Sequence, residues 1–123
     1  MRSRIADKER INHIIENIDA IFSGISGLSE DVFYDLKIEK LGVVKAIENI
    51  GEAANHLTEE TKALAPEIDW IDIIGMRNKL VHEYFQINYR IVFEVATIEI
   101  PKLEKAVLKI REILNRNNYE SNH

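Results

Sequence analysis

From Asp7 onward, Ile11, Ile14, Ile15, Ile18, Ile21, Phe22 and Ile25 recur at steps of three and four. That spacing puts them on one face of a helix, with polar residues on the other. Gly24-Ile25-Ser26-Gly27 closes the pattern with residues that tolerate turn geometry. Ser29 is the natural N-cap of the next element, followed by Glu30 and Asp31 where the helix dipole favours negative charge. Phe33, Leu36, Leu41, Val44, Ile47, Ile50, Ala54 and Leu57 then predict one long buried stripe. Gly42 and Gly51 lie inside it, and each costs about 1 kcal/mol against alanine, which points to another helix or a ligand close to the backbone.

Thr58 restarts a short helix that Pro66 ends. Asp69-Trp70-Ile71-Asp72 starts another, with Trp70, Ile73, Ile74, Leu80 and Val81 as its apolar contacts. Asn88 caps the last helix, where Ile91, Val95, Ile98, Leu103, Val107, Ile110 and Leu114 hold a helical period. Pro101 falls inside that run and should kink it without ending it, because the period resumes beyond. No segment alternates with period two and no long repeat is present. The expectation is an all-α fold: an up-and-down four-helix bundle with one additional short helix, forming a single domain over 1–123 with a polar, frayed tail from about 115.

Composition narrows the chemistry. The absence of cysteine excludes disulfides, thiolate nucleophiles and cysteine-ligated zinc. Sixteen basic residues against 21 acidic ones give a formal charge of -5, so any nucleic-acid role must rest on a local site. Charges interrupt every apolar stretch, and the polar N-terminus meets a helical pattern directly, so neither membrane insertion nor export is expected and the cytoplasm is the expected compartment.

Charge is unevenly placed. Five acids oppose one lysine from Glu59 to Asp72, whereas Arg77, Lys79 and Arg90 oppose only Glu83 from Met76 to Arg90. On charge alone that basic island reads as a solvated helix face. It contains Arg77-Asn78-Lys79-Leu80-Val81-His82-Glu83-Tyr84. At about 100° per residue along a helix, Asn78 and His82, four apart, project from nearly the same side, and Arg77 and Tyr84, seven apart, share a neighbouring line. Arg offers a permanently charged fork for phosphate oxygens, and His titrates near neutrality and can pass a proton. Together they suit cleavage of an RNA phosphodiester by its own 2′-OH. One histidine cannot readily be base and acid at once, so a homodimer that faces two motifs together is the mechanistic expectation.

Arg77-Asn78 followed by His82 resembles the R-x4-6-H signature of HEPN-domain ribonucleases. With Tyr84 the pattern is similar to the R-x4-H-x-Y of HepT-like toxins of toxin–antitoxin pairs. The surrounding blocks match as well: Ile50-Gly51-Glu52-Ala53-Ala54, Pro66-Glu67-Ile68-Asp69-Trp70 and Ile74-Gly75-Met76-Arg77-Asn78, within a likeness running from about Asp7 to Leu114. The resemblance implies a metal-independent endoribonuclease toxin of a type VII-like system, needing no cofactor. Arg77 and His82 would be its catalytic pair and Asn78 a supporting contact. It also implies a minimal nucleotidyltransferase antitoxin, MntA-like, that adds AMP to Tyr84. Bulk and negative charge would then stand beside Arg77 and compete with RNA phosphate. Val92-Phe93 departs from the tryptophan of many relatives and reads as core variation.

Other polar groups carry plainer readings. Glu9…His13 and Glu52…His56 each put a carboxylate and an imidazole one turn apart, one residue longer than the Glu-x-x-His of di-iron bundles. Glu52, beside a mid-helix glycine and alanines, reads as a packed carboxylate that either orients the Arg77 or Trp70 region or is paired for fold specificity alone. Lys102, Lys105, Lys109 and Arg111 read as a solvated face, and Trp70 as core. The alternative function is a non-catalytic helical module that binds nucleotide or substrate for a partner nucleotidyltransferase, a role the Arg77/His82 pair would not be needed for.

Overall fold

The computed structural model describes residues 4–82 and 86–121, with side chains described over 5–80 and 86–116. Helix α1 (Arg4–Ile25) packs along α3 (Lys37–Asn55) and against α8 (Ile100–Ser121). Ile11, Ile14, Ile18 and Ile21 of α1 are fully buried, as the three–four spacing requires. They meet Ile47, Ile50 and Ala54 of α3 and Leu103, Val107 and Ile110 of α8 in one continuous core.

The predicted stripe from Phe33 to Leu57 is broken in two. Helix α2 (Glu30–Asp35) begins on Ser29, whose hydroxyl accepts the Val32 N–H. It stops at Leu36, which is extended at φ -90° and ψ 102° before α3 begins. The break resets the helical phase, so Val43 is buried and Leu41 is half-exposed. Thr58 caps the short helix α4 (Glu59–Lys62), and Asp69 caps α5 (Trp70–Ile74). Helix α6 (Met76–Leu80) follows at once. A two-residue antiparallel ribbon then pairs β1 (Val81–His82) with β2 (Gln86–Ile87). This ribbon is the departure from the purely helical expectation, and it is too short to alter the all-α class.

Asn88 caps α7 (Tyr89–Glu94) by accepting the Ile91 N–H. The chain runs on through a π-helical turn, Val95–Glu99, into α8. Pro101 explains that turn. It has no N–H for the Thr97 carbonyl, and its ring crowds that oxygen in a regular α-helix. A wider turn relieves both, with the Ile100 N–H bonding the Val95 carbonyl five residues back. The additional residue rotates the face: Val92, Val95, Ala96 and Ile100 are buried, and Ile98, expected inside, is half-exposed. Phe93 packs on Phe33 at 5.3 Å between ring centroids, keeping an aromatic at the departure site. Among the described residues, no helix is long and apolar enough to cross a membrane.

Asp7 ties the start of α1 to α4. Its fully buried carboxylate accepts from Thr58 Oγ1 and Thr61 Oγ1, each at 2.6 Å, and from the Thr58 N–H. Arg10 Nη1 lies 3.7 Å away, buried and without a hydrogen bond. Asp7→Ala would strand two hydroxyls and that guanidinium. It should cost on the order of 3 kcal/mol, read as a lowered urea midpoint with an unchanged slope.

The two mid-helix glycines of α3 differ. A Cβ at Gly51 would meet the Ile73 and Ile74 carbonyl oxygens at 3.2 Å, whereas one at Gly42 would meet open space. Gly42→Ala should therefore raise stability by up to ~1 kcal/mol through helix propensity. Gly51→Ala should lower it by about 1 kcal/mol, because forced backbone displacement outweighs the same gain. Thermal melts of the two variants, moving in opposite directions, check this.

Candidate active site

The close approach at Gly51 sets the position of the motif. It brings the last turn of α5 onto α3, and α6, which begins immediately afterwards, packs on α3 too. Trp70 holds the preceding loop from inside. Its indole N–H donates to the Lys62 carbonyl at 2.9 Å and the Ala65 carbonyl at 3.2 Å, as a buried Trp requires. The core reading of Trp70 therefore stands. Met76 and Leu80 are the buried face of α6, so Arg77, Asn78 and Lys79 are turned outward. At its far end the Asn88 N–H bonds the Leu80 carbonyl at 2.8 Å, closing the ribbon.

The helical register expected to unite Asn78 with His82 does not exist. Helix α6 ends at Leu80, and His82 lies in extended backbone opposite Gln86. A strand advances about 3.3 Å per residue with side chains on alternate faces, so the four-residue rule stops at the junction. Tyr84 and the His82 side chain lie outside the described residues. Arg77 and His82 thus belong to two elements, one at each side of the α6–β1 junction.

The basic island is largely neutralised. Arg77 Nε lies 3.5 Å from Glu48 Oε1 on α3, with the two side chains 54% and 31% exposed. Lys79 pairs with Asp72 on α5. An open groove of about 410 Å³ beside Lys79 is lined by Ile91, Glu94, Val95 and Glu99, an acidic rim that does not favour phosphate. Arg77 is the outward-facing cation of the motif held beside a partner on the central helix.

Glu52 is not the packed carboxylate the sequence suggested. It is 74% exposed and pairs with His56 one turn along, at 3.1 Å. Glu48, four residues earlier on the same face of α3, occupies the place assigned to it. The signal that could have found Glu48 is its position three residues before Gly51, the point of helix–helix approach. His13 meets Glu16 at 3.9 Å, not Glu9. No three metal-ligating side chains cluster among the described residues. On α8, Lys109 is tied to Glu67 at 3.0 Å, and Lys102 and Lys105 are exposed, as for a solvated face. The Glu67 backbone N–H, and then Lys109, hold the Glu67 carboxyl below its usual range.

Comparison with known proteins places this geometry in context. The family described as "Ribonuclease HepT-like" matches residues 11–110. A "Putative RNase" of Caldanaerobacter subterraneus is 36% identical over 106 residues, covering 86% of this chain and 92% of the relative. A "Putative RNase" of Methanocaldococcus jannaschii is 35% identical over 97 residues, covering 79% and 80%. The "Probable ribonuclease HepT" of Thermococcus cleftensis is 31% identical over 105 residues, covering 85% and 96%. No solved structure matches.

The exposed Glu52–His56 pair should contribute little, since exposed ion pairs are worth about 0–1 kcal/mol. Glu52→Ala is expected to shift the unfolding free energy by less than about 0.5 kcal/mol, measured by urea titration.

Proposed function

The chain belongs to the HepT-like ribonuclease family, and from that premise we propose that it is a metal-independent endoribonuclease using Arg77 and His82. The observation that carries the reading is the Arg77…His82 spacing inside the matched residues, with the Arg77 side chain facing outward. The chemistry needs no bound ion. The 2′-OH of the RNA attacks the adjacent phosphorus and loses its proton to a base. The P–O5′ bond breaks, and O5′ takes up a proton from an acid. The products are a 2′,3′-cyclic phosphate and a 5′-OH. Arg77 stabilises the charge that gathers on the phosphoryl oxygens, and Asn78, exposed beside it, supports the contact. His82 moves the proton.

Base and acid are both required in one turnover, which is the reason for a homodimer carrying two copies of the motif. In this reading the protein is the toxin of a type VII-like pair in the cytoplasm. A minimal nucleotidyltransferase antitoxin silences it by transferring AMP to Tyr84, so that the adenylate phosphate competes with RNA for Arg77. The alternative reading is a helical module that binds nucleotide or substrate for a partner nucleotidyltransferase without cutting RNA, a role for which the Arg77/His82 pair would not be needed.

Incubation of RNA in EDTA with the wild-type protein, Arg77→Ala and His82→Ala separates the two. Cleavage leaving 2′,3′-cyclic phosphate ends, reduced by at least about a hundredfold in each variant, is the expected result. Equal cleavage by all three proteins overturns the site. Absence of cleavage by wild-type protein whose intact mass carries no AMP favours the binding module.

A further inference from the structure

Arginine is useful to a reacting phosphate only if its planar fork meets the oxygens in the right orientation. Arg77 begins from a poor position for that, because it projects from a five-residue helix with a side chain more than half exposed. Left alone, such a chain samples many rotamers, and fixing it costs up to about 2 kcal/mol of entropy. The structure supplies a brace. Glu48 stands on α3, the helix at the centre of the core, between buried Ile47 and half-buried Asn49. Asn49 is itself tied to Asn17 of α1 at 3.0 Å. Glu48 Oε1 stands 3.5 Å from Arg77 Nε, the guanidinium nitrogen nearest the chain.

We infer that Glu48 is a positioning residue for the proposed ribonuclease, aiming the Arg77 guanidinium so that its distal edge meets the phosphate; this rests on the reading given above. Two features set this pair apart from a casual surface pair. The contact joins residues 29 apart in sequence across two helices, not neighbours on one. Its geometry also depends on Gly51, where a Cβ would stand 3.2 Å from the Ile73 and Ile74 carbonyl oxygens and α5 would have to give way by a few tenths of an ångström. Glu52, one turn along and far more exposed, turns to His56 and leaves Arg77 to Glu48 alone among the described carboxylates.

The test compares wild-type protein, Glu48→Ala and Glu48→Gln. It measures kcat and KM on a single-stranded RNA in EDTA, and the NMR signal of the Arg77 Nε–H. Loss of aim removes stabilisation made in the transition state. Glu48→Ala should therefore lower kcat about 10- to 100-fold, with KM changed less than about twofold and the melting temperature unchanged. Glu48→Gln keeps an oxygen at the same place and should recover part of the loss. The Nε–H signal should exchange slowly in wild type and glutamine variant and broaden in the alanine variant. An unchanged kcat and signal overturns the inference, and so does a rise in kcat, which would mean that Glu48 competes with phosphate. If wild-type protein cuts no RNA the ribonuclease reading fails, while the Nε–H signal still decides whether Glu48 fixes Arg77.

Discussion

The contact between the α3 backbone at Gly51 and the last carbonyls of α5 governs the half of this molecule that carries the Arg77–His82 segment. Helices normally pack 8–10 Å apart because side chains intervene. Removing a Cβ lets one backbone approach another, and here it seats a pair of short helices that could not fold alone. Helices of five residues lie far below the length at which helical structure sustains itself in water. Their order comes from burying Trp70, Ile73, Met76 and Leu80 and from the caps at Asp69 and Gly75. Everything the α6–β1 junction presents to solvent inherits its place from that contact.

Electrostatics at the junction follow from the same geometry. An acidic chain cannot attract RNA broadly, and the structure pairs the α6 cations with carboxylates instead of massing them. Affinity for the backbone is therefore not the design. An oriented guanidinium acts at short range, where a fixed dipole or charge is worth far more than a diffuse potential. In the proposed ribonuclease, a site of that kind would select by geometry, needing the RNA in register with both Arg77 and His82.

At the other end of the bundle, two constraints keep the long elements in place. Asp7 is buried because two threonine hydroxyls and a backbone N–H meet its oxygens, so its charge costs little while the network is whole. Pro101 forces a π turn into the long C-terminal helical run, and the turn rephases the helix so that α7 and α8 both bury their own apolar faces. The acidic groove beside α6 is lined by residues flanking and within that turn, Glu94, Val95 and Glu99.

The sequence by itself determined the all-α class, the capping residues Ser29, Thr58, Asp69 and Asn88, the isoleucine face of α1, and the continuation of the last helical run past Pro101. These depend on local periodicity and on side chains bonding their own backbone, which neighbouring residues specify. The Arg77…His82 spacing and the family blocks were equally legible, being strings of residues. Tertiary structure decided what depends on phase and distance. A break at Leu36 and a π turn before Pro101 each shifted the buried face, moving Leu41 and Ile98 outward. The end of α6 at Leu80 separated His82 from the helix carrying Arg77. Glu48 came to stand beside Arg77 in place of Glu52, because two carboxylates one turn apart look alike along the chain. Only the crossing of α6 over α3 distinguishes them.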